Sequence, residues 1–518
     1  MVSAREAATE ELGRREFDLL VIGGGIIGAG IAAAAARAGL AVALVDKGDF
    51  GAGTSSASSK LIHGGLRYLR LGDVRLVQEA HHERRVLTET VAPHLVCRLP
   101  FLLPLYRDGP YGRATIQVGL VLYSALARAR LSRLLPPERA RDRIPSLRLD
   151  GLRACGLYAD AVTHDARLCL ANVRAAAEAG ATVLNYAEVR ELRTVHGRVA
   201  GAEVLAEGVE ISVSAKALVN ATGAWVDVVR RLEDAGAAPS IRLSKGAHVL
   251  LDVDEPWPTA LTIPHDKVRV SFALPWEGML LLGTTDTLHD GEPEAVEATE
   301  ADVEQILAEA AVALPPDLLR RDAVRSTFAG LRVLPHGDGS TASARRETVY
   351  LRGPSGMLSV AGGKLTTYRR IALRALELLR ADLGLHRFER GPAPLPGAIA
   401  PGEGARLLAA RVPDLDPALC AHLVHLYGSL AEEVLAPAAA DPDLLQPLHH
   451  DGPDIAAQAV YAYEAEWACR TEDVLRRRTT LALRGLAGEE VVRRIEGIVT
   501  TRGGAGSRAA SVPSSPGR

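Results

Sequence analysis

Between Thr54 and Tyr68 the chain reads TSSASSKLIHGGLRY, and this run holds many of the side chains that could do chemistry. His63 carries an imidazole that titrates near working pH and suits proton transfer. Arg67 carries a planar guanidinium whose fork matches the paired oxygens of an anion such as phosphate. Lys60 adds an ammonium, and Thr54, Ser55, Ser56 and Ser59 add small hydroxyls. Gly64 and Gly65 would let the backbone crowd a flat ligand. Such a segment suits a cofactor beside an anionic substrate better than it suits a core. Further along, His248 in KGAHV offers a second candidate base, and Arg332, Arg346 and Lys364 offer further cations. Tyr68 and Thr285 are candidates to complete a polar lining.

Six of the sixty basic residues are lysines: Lys47, Lys60, Lys216, Lys245, Lys267 and Lys364. Arginine serves almost wherever a surface charge would do. A lysine in a tight glycine or serine loop therefore marks a candidate position for a compact ammonium. Lys60, Lys245 and Lys364 sit in such loops.

The elements that must carry these residues begin with a buried strand, Phe17 to Ile22, followed by Gly23-Gly24-Gly25-Ile26-Ile27-Gly28 and an alanine-rich helix to about Arg37. This is the context that a dinucleotide fingerprint requires. Gly23 makes the tight turn, Gly25 admits a pyrophosphate, and Gly28 permits close helix packing. The helix N-terminus offers its N–H groups and dipole to the phosphates. A second strand, Ala41 to Val45, ends at Asp46, placed to accept from a ribose diol and unfavourable to a 2′-phosphate, which disfavours NADP. The motif alone does not separate FAD from NAD. Two later strand ends offer small residues for the same crevice: Thr222 and Gly223 after Asn220, and Gly362, Gly363, Lys364, Leu365 and Thr366 before another helix.

These readings imply an α/β chain with a Rossmann-like domain assembled from discontinuous segments, 17–75, 150–240 and 350–385. An antiparallel-sheet substrate domain follows from 76–149 and 241–349, with 71–148 reading as helical and irregular. A Pro, Ala and Gly-rich linker (391–402) leads to a helical domain at 400–500. Residues 1–16 and 501–518 read as disordered.

A net charge of −3 without a basic block gives no support to nucleic-acid binding. Five cysteines without a CxxC pair argue against a metal, a cluster or a disulfide framework and fit a reducing compartment. The N-terminus lacks an apolar signal region, and no apolar run reaches the length of a spanning helix. A cytoplasmic location is the expectation.

Taken in order, GGGIIGAG (23–30), TSSASSKLIHGGLRYL (54–69), DARLCLAN (165–172), NATGAW (220–225), KGAHV (245–249), LPWEG with GTTD (274–286), AGLRVL (329–334) and GGKLTTYR (362–369) resemble the FAD-dependent glycerol-3-phosphate dehydrogenases, the aerobic, quinone-linked kind. That family lies within the D-amino-acid oxidase-like flavoproteins, and YAYEAEWACRTEDVLRRRT (461–479) is similar to its helical cap. The resemblance implies non-covalent FAD and oxidation of sn-glycerol 3-phosphate to dihydroxyacetone phosphate by hydride transfer to flavin N5. It implies a membrane quinone as acceptor, with peripheral contact at the cytoplasmic face, and leaves a homodimer open. His63 is the base or a hydrogen-bond partner of the flavin, and His248 is the rival base. The phosphate falls to Arg67, Arg332 and Lys364, with Arg346 in uncertain register. Where the family reads G-[VL]-R-P, this chain has Arg332-Val333-Leu334-Pro335, which predicts an altered loop around Arg332. The segment 112–135, apolar on one side with Arg113, Arg128, Arg130 and Arg133, reads either as a bilayer-facing helix or as an ordinary cover. The alternatives are an oxidase using oxygen, a related amine or amino-acid oxidase, and a nucleotide-binding protein without redox activity.

Overall fold

The computed structural model describes residues 4–65, 74–127, 132–254, 257–267, 269–337 and 348–502. The chain forms two compact units, Met1–Ala431 and Glu432–Arg518. In the first unit, strand β1 (Glu16–Ile22) leads through the glycine turn to helix α2 (Ile26–Arg37) and strand β2 (Val42–Val45), preceded by helix α1 (Ala4–Arg14). Their apolar runs are continuous because both faces are covered, as parallel strands require. Strands β7 (Thr182–Leu184), β10 (Val209–Asn220) and β18 (Leu358–Gly362) complete the parallel set in the spatial order β18, β10, β1, β2, β7. Ile22 lies beside Val45 and Asn220, so three strand ends share one edge. Strands β8 (Ala187–Val195), β9 (Arg198–Ala206) and β17 (Thr348–Arg352) extend this sheet by antiparallel pairing.

The second sheet is built from β3 (Leu61–Ile62), β4 (Val96–Tyr106), β5 (Arg133–Leu135), β6 (Leu152–Thr163), β11 (Ile241–Leu251), β12 (Ala260–Pro264), β13 (Val270–Trp276), β14 (Met279–Gly283), β15 (Thr287–His289) and β16 (Val324–Pro335). It is antiparallel apart from the β4–β12 pair. Its buried face packs Val249, Leu251, Leu261, Ile263, Leu280 and Leu282 into one core.

Three sequence expectations need correction. Residues 4–14 are helical, not disordered, because Leu12 is buried with Phe17 and Leu20 while Arg5 donates to Asn185. The region 71–148 is not merely helical and irregular, since β4 is an eleven-residue strand. Pro100 and Pro104 concealed it; they have the same parity and spoil one edge only, and β12 pairs with β4 only at Phe101 and Leu102. Finally β6, placed by sequence with the nucleotide domain, pairs along its length with β4 in the second sheet. The helices Pro401–Arg411 and Pro417–Tyr427 lie in the first compact unit. The second unit is helical and includes Ala456–Ala465 and Glu489–Arg502, around the buried Asp454, which accepts from Thr480 and Gln458.

The segment from Gly51 to Gly65 crosses from the nucleotide sheet to the second sheet, where Leu61 and Ile62 pair with Val162 and Ala161. Asp165, the first residue of helix α5 (Asp165–Glu178), fixes it. Its carboxylate accepts from Lys60 Nζ at 2.6 Å, and from the Ser58 N–H at 3.1 Å and the Ser58 hydroxyl at 2.7 Å. Both charged side chains are fully buried. Lys60 also has φ of +55°, a left-handed conformation unusual for a side-chain-bearing residue. Removing one partner of such a pair leaves a buried charge uncompensated. Lys60→Met should therefore cost about 3–5 kcal/mol in chemical unfolding. A loss under about 1 kcal/mol would show that the pair does not hold the segment.

Candidate active site

The glycine turn is shaped by close approach. Gly23 has φ of +103°, and a Cβ at Gly28 would stand 1.8 Å from the Gly23 carbonyl oxygen. Both positions exclude any larger residue. Two residues on, a Cβ at Gly30 would sit 3.0 Å from Tyr368, the first residue of helix α6 (Tyr368–Leu379), which packs against α2. Gly25 caps α2 in an extended conformation, and a Cβ there would come 3.1 Å from Ser55 Oγ. That oxygen accepts the Ile26 N–H at 2.9 Å, so the signature segment lies directly on the helix N-terminus.

Asp46 closes the turn from the side. Its carboxylate accepts from Gly24 N–H at 2.6 Å and Gly48 N–H at 2.8 Å. Burial pushes its pKa up to about 6, against the lowering effect of those two bonds. Thr222 donates to Asn220 Oδ1, and Asn220 reaches Val226 and Ser359, which aligns the ends of β10 and β18. Gly223, Gly362 and Gly363 all have positive φ, and 362–365 form a half-exposed rim through Lys364 and Leu365. Thr366 is buried and bonds the His63 backbone, accepting its N–H at 3.1 Å.

From Lys60 to Gly65 every residue is buried except His63, which is half-buried. Facing this stretch from the second sheet is His248 on β11. Its Nε2 lies 2.9 Å from Ser59 Oγ, and its ring stacks on Phe328 at 4.8 Å. Burial, with Arg332 and Lys60 nearby, pushes its pKa well below the ordinary histidine value. Arg332 lies within β16 opposite Ser244, so the altered loop that the displaced proline predicts is a continuous strand. Its guanidinium donates to Thr284 Oγ1 at 2.7 Å and the Thr285 carbonyl at 3.0 Å. Gly246 makes room for it, since a Cβ there would meet Arg332 Nη2 at 2.3 Å.

Several sequence-proposed roles change in the structure. The Lys60 ammonium points to Asp165, not to a ligand. The Thr285 hydroxyl is fully buried, accepting from the Ala247 N–H and donating to Asp302. The Thr54 hydroxyl donates to the Leu331 carbonyl, and Ser56 Oγ to the Gly53 carbonyl, so both brace the segment itself. The Thr366 hydroxyl bonds the backbone of His63. Arg67, Tyr68 and Arg346 lie outside the described residues.

Sequence reasoning missed Asp160, Arg84 and Tyr123, which converge behind Gly64. It also missed Asp302, which pairs with Lys245 at 2.6 Å. The one available signal was the pairing logic of scarce lysines, which demands buried acids somewhere in the chain.

The residues present fit FAD. The turn supplies a glycine cradle and a helix N-terminus for a pyrophosphate, Asp46 an acceptor for ribose hydroxyls, and the half-buried His63 with the half-exposed rim at 362–365 a border for a flat ring. Because Asp46 is partly open to the crevice, its raised pKa bears on ligand binding more than on stability. Ribose hydroxyls donate to the ionised carboxylate, so binding favours proton loss. FAD affinity should fall below pH 6, by up to about tenfold per pH unit for one linked proton. Asp46→Asn should flatten that profile in a fluorescence titration, and an unchanged slope would remove Asp46 from the ribose site.

A family model described as FAD dependent oxidoreductase matches residues 18–369, and one described as C-terminal domain of alpha-glycerophosphate oxidase matches residues 392–505. The chain is 36% identical over 504 residues to glycerol-3-phosphate dehydrogenase of Mycobacterium leprae, covering 92% of this chain and 83% of the relative. It is 33% identical to aerobic glycerol-3-phosphate dehydrogenase of Staphylococcus haemolyticus, covering 92% and 88%. The solved glycerol-3-phosphate dehydrogenase of Bacillus halodurans, complexed with FAD, superposes with a TM-score of 0.76 at 29% identity, covering 96% of this chain and 97% of that one. With the family model spanning most of the chain and these relatives covered over more than four fifths of their length, the chain belongs to the FAD-dependent oxidoreductases, in the glycerol-3-phosphate dehydrogenase family.

Proposed function

We propose that the protein oxidises sn-glycerol 3-phosphate to dihydroxyacetone phosphate and hands the electrons to a membrane quinone. FAD, when bound, supplies the hydride acceptor at N5. The remaining tasks fall to side chains of this chain: to take the C2 hydroxyl proton, to hold the phosphate, and to keep the reacting carbon in place.

The observation that carries the reading is His63, the one side chain of the stretch 60–65 that is open to solvent. It stands where the nucleotide segment enters the second sheet, with its own N–H held by Thr366. An imidazole there takes the hydroxyl proton as the C2 hydrogen departs. His248 is the weaker base, because its environment opposes the charge that proton uptake creates. Its bond to Ser59 instead ties β11 to the signature segment. Arg332 and Lys364 are the described cations for the phosphate, and the first is already held rigidly by Thr284 and Thr285. Arg67, Tyr68 and Arg346 are proposed to join them. An amine or amino-acid oxidase would have no use for several phosphate-binding cations.

The choice of quinone over oxygen rests on helix α4 (Arg113–Ala127). Tyr123 and Leu120 face inward, while Val118, Val121 and Leu122 are exposed. The helix has no acidic residue, Arg113 stands exposed at its start, and Arg133 follows in β5. An apolar face among arginines suits the interface of an anionic bilayer. No helix among the described residues is long and apolar enough to cross a membrane.

Purified FAD-loaded protein should reduce a soluble quinone analogue on addition of glycerol 3-phosphate. His63→Ala should lower kcat by about 10²–10⁴-fold, the usual contribution of a general base. His248→Asn should have a much smaller effect, and the reverse ranking would transfer the role to His248. Rapid peroxide formation with negligible quinone reduction would favour the oxidase. In vesicle sedimentation, the double change Val118→Asp and Val121→Asp should weaken binding to phosphatidylglycerol membranes by about tenfold or more. Undiminished binding would place the membrane contact elsewhere.

A further inference from the structure

Behind His63 lies a buried ionic cluster that the proposed chemistry does not use. Asp160 on β6 is almost fully buried, and a single oxygen, Oδ1, receives three donors from three separate elements. The Gly64 N–H donates to it at 2.9 Å and the Tyr123 hydroxyl of α4 at 2.8 Å. The third donor is the guanidinium of Arg84, on helix α3 (Val74–Val86), which also donates to the Ala159 carbonyl at 2.8 Å. One of these donors is the peptide that follows His63 directly.

The backbone there is also pressed from behind. A Cβ at Gly64 would come 2.3 Å from His81 Cε1 and 2.6 Å from the Tyr123 hydroxyl, and Gly65 adopts φ of +73°. His81 packs edge-on against Tyr123, with ring centroids 4.3 Å apart. His63 is thus held at both of its flanking amides, its own N–H by Thr366 and the next by Asp160.

Folding alone does not call for this arrangement. A buried ion pair is costly to desolvate, and apolar residues of similar volume commonly hold a core as well or better. What an apolar side chain at 160 cannot do is accept the Gly64 N–H. We infer that Asp160 is a positioning residue for His63, fixing through the Gly64 N–H the peptide that carries the imidazole, with Arg84 and Tyr123 fixing Asp160 in turn. The inference rests on His63 being the base. Displacement of a reacting group by about 1 Å can cost about 10²-fold in rate, which sets the size of effect to look for.

The test is anaerobic stopped-flow reduction of the flavin by glycerol 3-phosphate in FAD-loaded full-length protein, read beside thermal stability and FAD content. The double variant Arg84→Met/Asp160→Leu replaces the ion pair with apolar residues. It leaves the Gly64 N–H and the Tyr123 hydroxyl without this acceptor, so it should lose some thermal stability but keep its FAD, and reduce flavin about 100-fold more slowly, with KM changed less than about threefold. Asp160→Asn retains an oxygen for Gly64 and should stay within about tenfold of the parent. A double variant that reduces flavin within about threefold of the parent overturns the inference and leaves Asp160 a purely structural role. Should the double variant not bind FAD, Asp160→Asn and Asp160→Ala are compared at matched FAD content, and equal rates overturn it. His63→Ala separates the two possible failures. If it is slow while the double variant is fast, only the positioning claim falls. If it is as fast as the parent, the base assignment falls and the positioning claim falls with it.

Discussion

A buried ion pair between residues 105 positions apart, Lys60 and Asp165, fixes the segment on which the rest of the site depends. Placing two charges in a dry interior is costly, and the cost is offset only when the remaining donors and acceptors are also satisfied. Here they are: Ser58 and the Ala166 N–H complete Asp165, and the Ser56 carbonyl lies 3.3 Å from the Lys60 ammonium. Trp276 and Phe328 flank the same ammonium at 5.1 and 5.3 Å from their ring centroids, a cation–π setting. Phe328 then stacks on His248, and His248 bonds Ser59. The pair therefore ties the start of α5, the second sheet and the signature segment into one rigid assembly.

That rigidity divides labour along a short stretch of chain. Ser55 lies against the N-terminus of α2, where a pyrophosphate fits. Ser58 and Lys60 are committed to the interior. Leu61 and Ile62 join the second sheet, and His63 opens toward the crevice. Alternate tasks in consecutive residues require a backbone that cannot slip. The left-handed turn at Lys60 and the glycines after His63 supply the geometry that a regular strand would not.

Much of this was legible in the sequence because it is local. The glycine turn, the strand-terminal Asp46 and the late Gly362-Gly363 junction are short-range patterns whose physical requirements show in residue type and spacing. The scarcity of lysine correctly marked Lys60 and Lys245 as positions needing a compact ammonium. It did not reveal the reason, because the partners Asp165 and Asp302 are distant in the chain and look like ordinary acids there. The setting of Thr285 is hidden for the same cause, since its hydroxyl bonds Asp302 across the fold. Strand β4 was hidden by its prolines, and helix α1 by a charged sequence in which a single leucine does the packing. Asp160 could not be read at all, because its role exists only where β6, α3 and α4 meet behind Gly64.

The central claim is that this assembly presents glycerol 3-phosphate to FAD as a hydride donor. The most direct measurement is an anaerobic titration of the FAD-loaded protein with sn-glycerol 3-phosphate, following the visible flavin band and assaying the product. The account predicts bleaching of the band with one dihydroxyacetone phosphate formed for each flavin reduced. A band that stays unchanged at saturating substrate, in protein that dithionite still reduces, would contradict it.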